Sequence, residues 1–246
     1  MIPIYVVNLD RSPARLATFR RTNAHLPEVE RFAAVDGSQV DRAALVESLL
    51  MAAELKYTNG AVGCALSHIR LWERTVDMGK PITICEDDAV FHRQFDDLSS
   101  RVMATVASDW DLIVWGWNLD SILMFDLMPG VTPCLATFDQ SNMRAGIDAF
   151  QTMALQPVAY RLWRAFGTVC YSISPRGAAK LQEEALPLRP LTVDFPMINP
   201  AFPNNGIDIV MNSLYRSMNA YVSMPPLVLT PNEHAQSTVL EPAMPA

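Results

Sequence analysis

The sequence predicts an α/β fold with a mainly parallel central sheet and helices on both faces. Three observations predict it. Strand and helix signals alternate along the chain. The candidate strands are unbroken apolar runs, the pattern of strands covered on both sides. The two sharpest, Ile4–Val7 and Ile82–Cys85, run directly into polar or acidic residues. In open α/β sheets, ligands bind in the crevice outside such strand ends.

The elements follow in order. Ile4-Tyr-Val-Val7 is a buried strand bounded by Asn8 and Asp10. Ser12-Pro13 supplies an N-cap and a first-turn proline for a helix carrying Leu16 and Phe19. Ala43–Met51 reads as a short helix with Leu45 and Leu49 on one face. Gly60–Met78 is the strongest helix: Ala65, Ile69, Trp72 and Val76 share a face, and Gly79 stands where a helix stops. Ile82–Cys85 is the second strand, Asp96–Ala107 a helix and Leu112–Trp115 the third strand. From 117 to 160 no clean period survives, and the stretch reads as irregular. Thr168–Ile173 is a strand, and Ser174-Pro175 opens a helix through Leu181. Residues 186–205, rich in Pro and Asn, read as a loop. Asp208 caps a helix to Met218, Ala220–Met224 is a late strand, and an extended tail begins at Pro225.

Composition narrows the function. The chain has 246 residues, 50% apolar and 18% charged, enough for a sizeable core in one domain. Its net charge of −7 argues against a nucleic-acid partner, because phosphate backbones select basic stripes. An anionic substrate therefore needs a local cation or metal. No apolar run is long enough to span a bilayer, and no secretory leader is visible at the N-terminus. The 4 cysteines show no zinc spacing and read as buried thiols of a reducing cytosol.

Glu86-Asp87-Asp88 is the sharpest chemical feature. Three adjacent carboxylates repel unless they are solvated, protonated or neutralised by a cation. Glu86 and Asp88 are two apart, on one side of an extended chain, and suit a hard ion such as Mg²⁺ or Mn²⁺; a solvated acidic turn is the plainer reading. Arg11 and Arg15 bring positive charge to the same sheet edge, or simply solubilise the surface. Gly60 and Gly63 let backbone approach a phosphate at a helix start. His68, within that helix, is either a core histidine or a ligand contact.

Four segments together resemble glycosyltransferase family 25, the lipopolysaccharide-type sugar transferases related to collagen galactosyltransferases. They are Tyr5–Leu16, Gly60–His68 with Trp72, Ile84–Phe91, and Gly167–Leu181 with its Tyr171-Ser-Ile-Ser and Gly177-Ala. Asp208, Pro225-Pro-Leu227 and Ser237 match more loosely. The resemblance implies a GT-A-like nucleotide-sugar-binding fold in one domain over 1–246, with a donor-binding half to about residue 115 and an acceptor-side half beyond. It implies inverting transfer of a hexose, galactose or glucose, from a UDP-sugar to a glycan or lipid-linked saccharide in surface-glycan synthesis. The expected setting is the cytoplasm, with peripheral contact at the inner membrane face. Ile122, Leu123, Met124, Phe125 and Leu127 are either that contact or core. Glu86 and Asp88 then match the acidic metal motif for Mn²⁺ or Mg²⁺, with His234 as a late metal ligand. Asn8, Asp10, Arg11, Arg15, Gly60, Gly63, Ser67, His68 and Asp87 fall on the donor side. Inversion requires a base for the acceptor hydroxyl; Asp208 is the candidate and Asp194 its rival, with a plain helix cap the alternative for Asp208. Two other classes compete. A strand followed by Glu86-x-Asp88 has the look of a haloacid-dehalogenase phosphatase, but that chemistry needs Asp at the first position. An inactive family member serving as a scaffold is the second.

Overall fold

A computed structural model describes residues 2–198 and 201–233. Nine strands form one sheet: β1 (Ile4–Asn8), β2 (Val29–Ala33), β3 (Ile82–Glu86), β5 (Leu112–Gly116), β6 (Ile122–Met128), β7 (Thr132–Thr137), β8 (Val158–Ala165), β9 (Cys170–Ile173) and β12 (Ala220–Met224). Their order is β2-β1-β3-β9-β5-β12-β8-β6-β7. β1 pairs in parallel with β2 and β3, and β5 with β12; the remaining pairings are antiparallel. Following these pairings across the sheet, β2, β1, β3, β5, β12 and β6 point one way, so most strands share a direction as expected. β7, β8 and β9 run the other way, β9 slotting antiparallel between β3 and β5. Short pairs β4 (Val90–Phe91) with β13 (Val228–Leu229) and β10 (Thr192–Val193) with β11 (Phe202–Pro203) lie outside this sheet.

Alternate side chains of the central strands enter different cores, which places helices on both faces. Tyr5, Val7, Ile84, Val114 and Tyr171 pack with α3 (Asn59–Met78), α6 (Pro175–Ala185) and α7 (Ile207–Leu214). Ile4, Val6, Cys85, Ile113 and Trp115 pack with Phe19 of α1 (Pro13–Thr22) and Leu98 of α4 (Phe95–Met103). Ser174 caps its helix as the sequence indicates, its Oγ accepting from the Gly177 N–H, whereas Ser12, expected to cap α1, makes no side-chain capping bond; α3 is capped by Thr58, whose Oγ1 accepts from the Ala61 N–H. α3 ends at Gly79 in the left-handed region. Gly63 lets α3 lie on the 3₁₀ turn Gly37–Gln39; a β-carbon on it would stand 2.4 Å from the Val35 carbonyl oxygen.

Three expectations change. α2 (Arg42–Glu47) stops short of Met51, because Leu49 adopts a positive φ of 58°. The stretch 117–160 is ordered rather than irregular: it builds β6, β7, α5 (Gln140–Phe150) and the start of β8. β7 is an edge strand holding Pro133, where a missing N–H costs least, and Arg161 and Arg164 interrupt the apolar period of β8. α7 begins at Ile207 and ends at Leu214, so Asp208 sits in its first turn and Gly206 occupies the cap position. Leu123, Met124 and Phe125 are core, whereas Leu127 is 44% exposed near the β6–β7 turn. Among the described residues, no helix is long and apolar enough to cross a membrane.

Candidate active site

β1 and β3 are parallel neighbours, so their C-terminal ends open side by side. Asn8 ends β1 and ties this corner together. Its side-chain N–H₂ donates to Asp87 Oδ2 at 2.6 Å and to the Ser12 carbonyl at 3.1 Å. Its oxygen accepts from Arg31 Nε at 3.1 Å. Asp87 accepts in addition from Arg15 Nε at 2.7 Å. Asn8 and Asp87, both expected on the donor, are thus buried in a brace that fixes Arg15 at the cleft wall. Asp10 is 82% exposed and pairs with Arg31. Arg11 is half-exposed and pairs with Asp36 at 2.8 Å; that bond, with those from Ser38, lowers the Asp36 carboxyl to about 2.

Glu86, the last residue of β3, is held by a buried chain of donors. Trp72 Nε1–H donates to the Tyr171 hydroxyl oxygen at 2.9 Å, and that hydroxyl lies 2.7 Å from His68 Nδ1. With its oxygen accepting from Trp72, the Tyr171 hydroxyl donates to Nδ1, which assigns the His68 proton to Nε2. Nε2–H then donates to Glu86 Oε1 at 3.0 Å, and Thr168 Oγ1–H donates to the same oxygen at 2.7 Å. Burial would raise the Glu86 carboxyl, but the contacts with His68 and Thr168 outweigh it and hold it below its ordinary value. Both bonds fall on Oε1, so neither requires Oε2.

Asp88 follows in a turn closed by the Ala89 N–H on the Glu86 carbonyl at 3.2 Å. A turn, rather than the extended run expected, therefore brings Glu86 and Asp88 to one cleft. Burial, then the neighbouring Glu86 charge, pushes Asp88 up to about 6, against the pull of Arg15 and a hydrogen bond from Thr230. Two carboxylates lining one cleft, with Arg15 beside Asp88 at 3.6 Å, form a hard oxygen set, the chemistry that Mg²⁺ or Mn²⁺ accepts. Cys64, His68 and Glu86 also bring ligand atoms within 4.8 Å of one another, but that mixed set is softer and His68 Nε2 is engaged with Glu86. His234, the third expected ligand, lies outside the described residues.

The cleft that receives Glu86 and Asp88 encloses about 500 Å³, and Arg15, Cys64, Thr168 and Asp208 also line it. Asp208 Oδ2 accepts from the Gly167 N–H at 2.9 Å and Oδ1 from the Ile209 N–H at 3.0 Å. Burial nevertheless raises its carboxyl above the ordinary value. Gly167 has a φ of +81°, and a β-carbon there would stand 2.5 Å from Asn118 Oδ1. Asp194 is exposed, bonds Arg164 through its backbone carbonyl and does not line this cleft. A smaller cavity of about 60 Å³ adjoins, lined by Arg11, Arg15, Gly60, Ser67 and Asp87. Ser67 is buried; its hydroxyl donates to the Gly63 carbonyl at 2.7 Å and accepts from the Val35 N–H at 2.8 Å. Sequence reasoning missed Thr168, Tyr171, Asn118, Asp120 and Thr230. Thr168 and Tyr171 lay inside a motif already singled out, beside a strand that borders Glu86.

The comparisons with known proteins point to a sugar-transferring class. The family model described as "Glycosyltransferase family 25 (LPS biosynthesis protein)" matches residues 1–197. The chain belongs to glycosyltransferase family 25. A "Glycosyltransferase 25 family member" of Aedes aegypti is 28% identical over 243 residues, covering 94% of this chain and 36% of that protein. One of Drosophila pseudoobscura pseudoobscura is 34% identical over 125 residues, covering 46% and 20% respectively. "Inactive glycosyltransferase 25 family member 3" of Mus musculus is 29% identical over 220 residues, covering 82% of this chain and 32% of that one. The chain thus spans well under half of each of these relatives. The crystal structure of A197 from STIV aligns over 93% of this chain and 83% of that one, with a TM-score of 0.41 and 9% identity, too distant to bear on the site.

Proposed function

We propose that this chain transfers a hexose, galactose or glucose, from a UDP-sugar to a saccharide hydroxyl with inversion, in the synthesis of lipopolysaccharide or another surface glycan. The observation that carries the reading is the meeting of Glu86, Asp88 and Asp208 in one cleft at the strand ends. Glu86 and Asp88 would hold Mn²⁺ or Mg²⁺, which when bound neutralises a diphosphate and stabilises its departure. Arg15, braced by Asp87 and Asn8, sets a fixed positive charge beside that position. Arg11, Gly60 and Ser67 border the adjoining cavity, where the nucleotide is seated.

Asp208 is the base. The acceptor oxygen forms its bond to the anomeric carbon as the bond from that carbon to the diphosphate oxygen breaks. The hydroxyl proton passes to Asp208. Burial makes this carboxylate more basic than a solvated one, and its two backbone N–H donors fix its orientation. Transfer from UDP-galactose or UDP-glucose to saccharide acceptors tests the reading: Asp208→Asn is expected to lose activity by about a hundredfold or more while UDP binding persists. A non-catalytic reading has one observation in its favour, the similarity to a Mus musculus relative named inactive. It predicts UDP binding with no turnover of any UDP-sugar.

A further inference from the structure

The wall beside Asp88 is a turn that borders space on two sides. After β13 the chain passes Asp88 and bends at Asn232, which takes a left-handed φ of 47°. Thr230 and Asn232 line the cleft, while Pro231 lines a second cavity of about 410 Å³ that Arg15 and Asp88 also border. Such a turn is held more by its hydrogen bonds than by buried apolar area.

Those bonds come from two sources. The first is the pairing of β13 with β4, in which Leu229 lies opposite Val90 and Val228 opposite Phe91, so the next residue, Thr230, arrives at the acidic turn. Thr230 is buried; its Oγ1 accepts from the Asn232 N–H at 2.9 Å, and its hydroxyl donates to Asp88. The second source is α5. Arg144 Nε donates to the Pro231 carbonyl at 2.6 Å and a terminal nitrogen donates to the Asn232 carbonyl, so one planar guanidinium grips two successive peptides. The far end of α5 grips the partner strand. Gln151, at its C-cap, donates to the Phe91 carbonyl at 3.0 Å, and its own carbonyl accepts from the Arg93 N–H at 2.9 Å. Met143, Ile147 and Phe150 seat α5 on the core at helical spacing, while Arg144 is exposed. A helix anchored on the core thus clamps both strands that lead to and from Asp88.

We propose that Arg144 is a positioning residue for the metal site: its grip on Pro231 and Asn232 sets the turn that presents the Thr230 hydroxyl to Asp88. This rests on the assignment of Asp88 as a metal ligand in the transferase reading above. A hydroxyl donating to one carboxylate oxygen fixes which oxygen faces the ion, as partners behind a ligand do. Arg144 reaches Asp88 only through the turn, so its effect passes through Thr230.

Arg144→Gln, Thr230→Val, Thr230→Ser and the double variant Arg144→Gln/Thr230→Val test this in the full chain. Mn²⁺ affinity is read from the free-ion EPR signal with UDP present, and amide exchange at Asn232 by NMR without metal. Thr230→Val is expected to weaken Mn²⁺ binding by about tenfold or more and Arg144→Gln by about threefold or more, while Thr230→Ser, which keeps the hydroxyl, stays within about twofold of wild type. The double variant stays within about twofold of Thr230→Val, because the two residues act in series. Arg144→Gln also speeds exchange of the Asn232 amide by about fivefold or more. Mn²⁺ affinity unchanged in either Arg144→Gln or Thr230→Val, or losses that multiply in the double variant, would overturn the proposal. Absent Mn²⁺ binding in wild type removes the metal-site reading by itself. The exchange result then still decides the clasp: faster exchange in Arg144→Gln supports it, and unchanged exchange overturns it.

Discussion

Tyr171→Phe removes one oxygen from the buried chain that holds Glu86. The ring remains, so packing changes little, but Trp72 N–H loses its acceptor and His68 Nδ1 its donor. Tyr171, Trp72 and His68 are all essentially fully buried, so water does not replace the lost partner. Each orphaned buried group costs about 1–3 kcal/mol, giving about 3 kcal/mol for the two together at the low-to-middle end of that range. In a chain of this length that is a fall in Tm of about 6–12 °C. The second effect falls on the metal site. Without the Tyr171 hydroxyl the His68 tautomer is no longer fixed, and the Nε2–H bond to Glu86 Oε1 weakens. Partners that orient a ligand from behind typically contribute about 10–100-fold in metal affinity. Thermal melts without metal, and Mn²⁺ titrations with UDP present, measure the two effects separately. A melting point within about 2 °C of wild type together with unchanged Mn²⁺ affinity would refute the chain as the device that positions Glu86.

Further predictions follow from other corners of the molecule. Gly167→Ala combines a positive φ with a β-carbon 2.5 Å from Asn118 Oδ1, so it should cost about 2–4 kcal/mol in chemical denaturation and lower transfer by displacing the N–H that holds Asp208. Asp194→Asn should transfer sugar within about twofold of wild type, whereas Asp208→Asn should not; parallel rate measurements separate the two candidates. Asp111 is fully buried and accepts from Arg176 Nε at 2.6 Å, Lys180 Nζ at 2.8 Å and the Asn219 N–H at 2.8 Å. Burial would raise its carboxyl, but the bonds from Lys180 and Arg176 prevail and lower it. A lowered carboxylate contributes stability above its unfolded pKa of about 3.9, lost as pH falls through the still lower folded value. Asp111→Asn should therefore cost about 2 kcal/mol near neutral pH, where Arg176 and Lys180 are half-exposed and rehydrate, and the difference from wild type should shrink in acid unfolding curves below about pH 4.

The parts of the site legible in the sequence were those where local pattern and chemistry coincide. Glu86-Asp87-Asp88 stood out because an apolar strand ended in three charges, and α3 because Ala65, Ile69, Trp72 and Val76 repeat at helical spacing over about three turns before a glycine stop. The less legible parts depend on contacts between distant segments. Nothing local distinguishes Thr168 and Tyr171 as partners of Glu86 and His68; β9 delivers them by entering antiparallel between β3 and β5. Asp208 and Asp194 both flank a Pro- and Asn-rich stretch, and only the packing of α7 against the Gly167 turn puts one in the cleft and leaves the other exposed. Asn8 and Asp87 stand out as polar groups at strand ends, but the sequence does not show that they also brace each other across the two strands. The β6–β7 hairpin was hidden by its own composition, with Pro133 on the edge strand and Gly130 at a φ of +76° in the turn.

The most direct test of the account is calorimetric titration of UDP, with GDP and ADP as controls, with and without Mn²⁺, on wild type and Asp88→Asn. The account predicts UDP binding that requires Mn²⁺ and is lost in Asp88→Asn, while the variant melts within about 2 °C of wild type. Nucleotide binding indifferent to both the metal and Asp88, or no binding at all, would contradict a metal-assisted donor site at Glu86 and Asp88.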